Sequence, residues 1–355
     1  MTERAVLAEK ADLPPVPKPP QAPPAPLVVT QQTRIEEIKN PSPEVFFSSG
    51  AVLLDLVLGG GWAMGRIFNI VGDKSVGKTL LAIEAFANFK LKFPKGRMRY
   101  AEAEAALDET FAAQLGFPTE VTRPEELLNT VEDFRDDFDD FIKEPGPSLY
   151  ILDSLDALSD DAELEKFEKK SDAGSYGTGK AKGMSGFFRL LTRKVKQQNS
   201  CLGIISQIRE NIGVSFGEQY GRSGGKALDF YATHALWLHN AGKEEKTFES
   251  DTRAVGNKII AKCKKNKVGL PFRECTFSIM FGYGTDSDMA CLDWLIKEKK
   301  MADEAGKALK KQLKKARETQ DFKTIDEISL HLKEDTVREW KRIEDALKFP
   351  IKKYR

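Results

Sequence analysis

The sequence predicts an α/β fold: a mostly parallel sheet flanked by helices, followed by a small basic helical C-terminal domain. Three observations predict it. Short apolar runs recur between about Val45 and Trp294, helical patterns separate them, and the charge balance changes from Leu295 onward. The chain has 355 residues, 41% hydrophobic and 31% charged, enough apolar material for one large domain with smaller appendages. A net charge of +1 excludes a polycation, so any affinity for nucleic acid must come from local basic surfaces.

Residues 1–32 read as a Pro-rich disordered tether. Eight prolines between Asp12 and Leu27 forbid helix and disfavour sheet, leaving an extended polyproline-like linker that is also a possible docking ligand for a partner. Thr33–Asn40 reads as a short helix ahead of Pro41 and Pro43, within an N-terminal oligomerisation segment assigned to residues 33–47.

The core is expected over residues 48–294. Arg66–Val71, Met98–Ala103, Ser148–Asp153 and Cys201–Ser206 are short apolar strands, and Thr79–Phe93 and Met184–Gln198 have helical periodicity. In such a sheet ligands bind at the carboxyl ends of the strands. Two glycine-rich stretches, about 160–183 and 208–225, lack any packing pattern and read as loops.

Residues 295–355 carry 18 Lys+Arg against 12 Asp+Glu, a balance of +6 that leaves −5 for the rest of the chain. Helix formers dominate, as in Gly306–Glu318. A solvated helical face and a DNA-facing surface fit this composition equally well.

Cys201, Cys263, Cys275 and Cys291 show no zinc-type spacing, and three histidines add little ligand capacity, so reduced, partly buried thiols are expected. Neither a signal peptide nor an apolar run of bilayer length is present, and a soluble cytoplasmic protein, in a bacterium or a phage-infected host cell, is the expectation.

The strongest local signal is GDKSVGKT, which satisfies G-x-x-x-x-G-K-[ST], follows an apolar strand and opens a helix. Gly72 and Gly77 permit a tight backbone that aims N–H groups at phosphate oxygens. Lys78 meets the β- and γ-phosphates, and the Thr79 hydroxyl coordinates Mg²⁺. Gly72, Asp73, Lys74, Ser75, Val76, Gly77, Lys78, Thr79 and Leu80 thus form a candidate cradle for a nucleoside triphosphate, with the positive end of the helix dipole behind it. Asp153, at the end of an apolar strand, is placed to hold the same Mg²⁺ as a Walker B carboxylate. Glu102 and Glu104 both lie where another strand leaves the sheet; position alone leaves open which activates water and which caps the next helix.

The ordered set GRIFNIVGDKSVGKT, AEAALDETFAAQLG, YILDSLDAL, SQIRENIGVSFG, GGKALDFYA and KKNKVGLPF resembles the RecA-type recombinase family over about Ser48–Trp294. The unusual termini set the expectation of a divergent, phage-encoded member. The resemblance implies a P-loop NTPase core of RecA type, with ATP and Mg²⁺ as cofactors. It assigns water activation to Glu104, adenine contact to Asp108 and Phe111, and γ-phosphate sensing to Gln207. Lys265 and Lys267 match lysines that reach a neighbouring protomer's ATP. The family more often carries tyrosine where Phe111 stands; a phenyl ring still stacks but lacks the hydroxyl.

For DNA, the resemblance assigns Lys182, Ser185 and Arg189 after the first loop and makes 208–225 the second. Arg209, Phe216, Arg222, Gly224 and Gly225 lie in that second stretch, where arginines suit phosphates and aromatic rings suit unstacked bases. The partners implied are single-stranded DNA, duplex DNA for pairing, and further copies of the chain in a helical filament, with no membrane. The function implied is ATP-dependent strand exchange with DNA-stimulated hydrolysis. A ring-forming helicase shares the phosphate motif but ordinarily supplies an arginine finger in trans, where this chain has KKNK. A mediator that binds ATP with negligible hydrolysis is disfavoured by the complete carboxylate set. The N-terminus carries no convincing copy of the family's oligomerising helix, and the C-terminal region shows no clear resemblance.

Overall fold

In the computed structural model the described residues are 44–104, 107–159, 178–210, 220–222 and 225–351. The Pro-rich tether, the Thr33–Asn40 helix and most of the 33–47 segment lie outside them.

The chain begins with β1 (Phe46–Phe47), α1 (Val52–Leu58), β2 (Trp62–Ala63) and β3 (Ile67–Gly72). Then come α2 (Lys78–Lys92), β4 (Arg97–Glu102), α3 (Glu109–Gln114), α4 (Val131–Phe141) and β5 (Ser148–Asp153). Next are α5 (Thr178–Gln197), β6 (Ser200–Glu210), β7 (Tyr220–Arg222) and α6 (Gly225–Tyr231). The strands β8 (His234–Phe248), β9 (Asp251–Asn266), β10 (Arg273–Met280) and β11 (Gly284–Thr285) precede the helices α7 (Ser287–Lys297), α8 (Asp303–Glu318) and α9 (Phe322–Leu347).

Strands β4, β5, β6, β3 and β8 run parallel in that spatial order, and β9, β10 and β11 extend the sheet antiparallel. Every residue of β3 and β5 is buried, as a strand covered on both faces requires. Alternation along β5 divides the interior in two: Leu149 and Ile151 join the cluster under α2, whereas Tyr150 and Leu152 join the cluster under α4 and α5. The four apolar runs expected as strands are β3 to β6.

Register places the site. Gly72 pairs with Gln207 across β3 and β6, and Glu102 pairs with Asp153 across β4 and β5. One edge of the sheet therefore gathers Gly72, Glu102, Asp153 and Gln207, with β6 continuing past Gln207 to Glu210.

Two elements differ from the sequence reading. Helix α5 starts at Thr178, so residues 178–183, expected as the end of a loop, are helical; two glycines in TGKAKG mask the pattern. The ends of 208–225 are not loop but a short antiparallel ladder, Ile208–Glu210 against Tyr220–Arg222. A third element, the long β8–β9 ribbon, pairs out to Phe248 and Asp251 with its outer half exposed.

The C-terminal helices pack on the core. Leu313, Ile328 and Leu332 belong to the same apolar cluster as Leu81 and Phe86 of α2. Arg317 donates to both oxygens of Asp286 at 2.7 and 2.9 Å and to Asp288 at 3.0 Å, and Arg273 grips Glu344 with two bonds of 2.6 and 2.7 Å. The four cysteines are buried and unbridged. Among the described residues, no helix is long and apolar enough to cross a membrane.

Candidate nucleotide site

The turn between β3 and α2 has a shape that side chains would obstruct. Gly77 has φ +85°, and a Cβ there would lie 2.2 Å from Ile279 Cδ1. At Gly72 a Cβ would lie 2.6 Å from Val76 Cγ2. Ser75 also takes a left-handed φ of 59°, and Asn257 Nδ2 donates to its carbonyl at 3.4 Å. Helix α2 then starts without a side-chain cap, so its first N–H groups point at the turn and suit an anion.

Lys78 is buried, and its Nζ donates to the Asp73 carbonyl at 2.7 Å. Burial pulls its pKa below the usual lysine range, while the charges of Asp153, Glu104, Asp73 and Asp156 oppose that pull. Beside it, Thr79 Oγ1 donates to Asp153 Oδ2 at 2.6 Å. The Tyr100 hydroxyl donates to the same oxygen at 3.0 Å. Burial raises the Asp153 carboxyl; the two hydroxyls lower it, and the charges of Glu104 and Lys78 act in opposite senses.

A second cluster adjoins the first. Glu104 Oε1 accepts from Ser154 Oγ at 2.5 Å and from Gln207 Nε2 at 3.1 Å, while the Gln207 backbone N–H donates to Asp156 at 2.6 Å. Glu102 turns elsewhere: its Oε1 accepts the Leu107 N–H at 2.6 Å. The two glutamates that position alone could not separate thus occupy different places, and Glu104 is the one bonded to Gln207.

The structure brings Lys78, Thr79, Glu104, Asp153 and Gln207 together. Asp108 caps α3 by accepting the Phe111 N–H at 3.0 Å, and Phe111 packs against the core at its edge. Lys265 and Lys267 are not at this protomer's loop in their described contacts. The Lys265 ammonium lies on the Asp229 and Phe230 carbonyls, and Lys267 Nζ donates to Phe230 O at 2.9 Å. Both cap the C-terminal end of α6 and flank the Phe230 ring.

Ser185 and Arg189 are exposed on α5, opposite the buried Met184, Phe188, Leu191 and Val195. Lys182 lies on α5, Arg209 on β6, Arg222 on β7, and Gly225 opens α6. Phe216 and Gly224 fall outside the described residues.

Sequence reasoning missed Tyr100, Ser154 and Asp156, and also Ile279 and Asn257, which wall the turn. Ser154 and Asp156 stand just after β5 on either side of the buried Leu155, a signal that was present; Ile279 and Asn257, remote in sequence, gave none.

These groups fit a polyphosphate and a hard divalent cation. Glycine-walled amides and a buried ammonium suit the anion; a hydroxyl beside a carboxylate suits the cation. Among the described residues no cluster of three His, Cys, Asp or Glu side chains forms an all-protein metal cage, so the anion would supply further oxygens.

A family model described as the RecA N-terminal domain matches residues 34–286. Proteins named Protein RecA from Nostoc punctiforme and Borrelia hermsii are similar: 34% identical over 255 residues, covering 71% of this chain and 67% of that protein, and 35% over 254 residues, covering 70% and 68%. Protein RecA of Leifsonia xyli subsp. xyli is 35% identical over 251 residues, 69% of this chain and 66% of its own. The matched span runs from before β1 to the cap of α7 and holds every residue of the two clusters just described, and on that footing the chain belongs to the RecA family.

Proposed function

We propose that the chain is an ATP-dependent DNA recombinase, which forms filaments on single-stranded DNA, pairs that strand with duplex DNA and exchanges strands. The observation that carries this reading is Gln207. Its amide bonds Glu104 beside the phosphate turn, and within β6 it immediately precedes the stretch 208–225. One residue thus touches both the hydrolytic carboxylate and the stretch expected to hold DNA. Family membership, with relatives named Protein RecA, supports the same reading.

Lys78 and the N–H groups of 72–80 bind the β- and γ-phosphates of ATP; Thr79 and Asp153 are the residues that would hold Mg²⁺. When bound, Mg²⁺ would supply charge neutralisation at the phosphates. Asp108 and Phe111 lie beside the adenine. Glu104 orients and deprotonates the attacking water, and Ser154 and Gln207 fix its carboxylate until the γ-phosphate engages the amide. Lys265 and Lys267 complete the neighbour's site after leaving the end of α6.

DNA is held by Lys182, Ser185, Arg189, Arg209, Phe216, Arg222, Gly224 and Gly225, through backbone contacts that leave sequence matching to base pairing. Loss of γ-phosphate releases that hold, a switch of the segment-ordering kind. The test is strand exchange with and without ATP, with electron microscopy of the same mixture. Nucleotide-dependent helical filaments and exchanged product support the reading; closed rings that unwind duplex, or DNA binding indifferent to ATP, overturn it.

A further inference from the structure

Tyr100 is one of the largest fully buried side chains, and its hydroxyl is the one polar atom it brings inside. It lies on β4 opposite Ile151, so Asp153, two residues further along β5, is its diagonal neighbour on the same face. A tyrosine ring spans that diagonal, and a shorter polar side chain would not. The ring is set from two sides. Phe86 of α2 meets it edge-on with centroids 6.2 Å apart, and Phe117 does so at 6.1 Å.

Held in this way, the hydroxyl donates to Asp153 Oδ2 at 3.0 Å, the oxygen that also accepts from Thr79 at 2.6 Å. Two donors on one oxygen, one from a neighbouring strand and one from α2, prevent the carboxylate from turning about its own axis. The Thr79 hydroxyl must be free to rotate if it is to present a lone pair to a cation. The Tyr100 bond then becomes the anchor that stays.

We propose that Tyr100 is a positioning residue for the divalent cation: it fixes the rotation of the Asp153 carboxylate so that the carboxylate would receive Mg²⁺ without turning while the Thr79 hydroxyl rotates. This rests on the reading of Thr79 and Asp153 as the Mg²⁺-holding pair. Partners that orient a metal-holding carboxylate are worth about 10- to 100-fold in metal affinity.

The test compares wild type with Tyr100→Phe, which removes the hydroxyl and keeps the ring between Phe86 and Phe117. Tyr150→Phe is the control: it deletes another buried tyrosine hydroxyl, which donates to Asp137 at 2.8 Å on the opposite face of the sheet. Binding of a fluorescent ATP analogue is measured with Mg²⁺ and with EDTA, and ATP turnover is titrated with Mg²⁺. In Tyr100→Phe the expected result is affinity unchanged in EDTA, an about tenfold rise in the Mg²⁺ concentration for half-maximal turnover, and a smaller Mg²⁺ gain in binding. Tyr150→Phe should match wild type in all three.

A Mg²⁺ response of Tyr100→Phe equal to wild type overturns the proposal and leaves the site standing. An equal loss in both variants also overturns it, because deleting any buried hydroxyl would then suffice. Wild type that fails to bind the analogue overturns the phosphate site itself, and this proposal with it.

Discussion

Gln207 and Glu104 are joined by a single 3.1 Å hydrogen bond between an amide nitrogen and a carboxylate oxygen, although they stand more than a hundred residues apart in the chain. An amide is the right group for this place. It is neutral, so it does not compete with Lys78 for the phosphate, and its donor can pass from carboxylate to phosphate without a proton changing hands. The prediction is that Gln207→Ala binds ATP within about threefold of wild type but loses most of the effect of ATP on single-stranded DNA affinity, a coupling of about 1–3 kcal/mol in ordinary allosteric pairs. Fluorescence anisotropy of a labelled strand with and without nucleotide measures it. Full retention of the ATP effect removes Gln207 from the sensor role.

Lys78→Ala removes the buried ammonium and should lower ATP turnover by about 10²-fold or more, the loss typical when one preorganised charge stabiliser is deleted. Nucleotide-dependent assembly on DNA should fall with it. Steady-state ATPase rates and sedimentation with DNA provide the check, and unchanged strand exchange would refute the site.

Arg317→Ala should destabilise the fold by about 2 kcal/mol. Breaking a buried ion pair costs about 3–5 kcal/mol, and the partial exposure of Arg317, about a quarter of its side chain, reduces that figure. The remaining Asp286 is buried and still caps α7, but without its guanidinium partner. Urea midpoints at fixed pH report the change, and a midpoint equal to wild type contradicts it.

His234 sets a pH dependence. It is buried, its Nε2 donates to the Leu58 carbonyl at 3.0 Å, and burial lowers its pKa to about 4 from an ordinary 6.5. The unfolded chain takes up the proton near pH 6.5 and the folded chain only near 4, so His234 favours the fold above pH 6.5 and that contribution is lost as pH falls through this window. The loss is of order 3 kcal/mol. Denaturation of wild type beside His234→Gln from pH 7 to 4 isolates it, because the variant cannot titrate there; parallel curves would rule it out.

Much of the sheet was legible because β3, β5 and the first half of β6 are buried on both faces, and double burial writes itself as continuous apolar sequence. The phosphate turn was legible because Gly72 and Gly77 meet steric demands that few other residues satisfy. The ribbon of β8 and β9 was not, since its outer half has two wet faces and carries Lys243, Glu244, Glu245 and Lys246 where an alternating pattern would have shown. Glu102 and Glu104 were inseparable by position because the chain leaves the sheet between them. Their fates depend on Leu107, Ser154 and Gln207, groups brought near only by the turn and by two neighbouring strands. Tyr100 escaped for a related reason: in sequence it is one more apolar strand residue, and its hydroxyl gains meaning from a diagonal across β4 and β5.

The shared interior beneath α8 and α9 bears on how this protein can be shortened. Helix α9 lies on α1 and α7, and Leu313, Ile328 and Leu332 close the outer side of an apolar interior that continues inward to Leu81 and Phe86 of α2. A truncation after Trp294 would strip off that covering, wet the apolar faces of α1 and α7 and turn a trimmed fragment into a sticky one. Residues 295–355 are therefore a wall of the core, and any deletion meant to probe whether they meet DNA will also destabilise that core unless the three leucine and isoleucine contacts are kept.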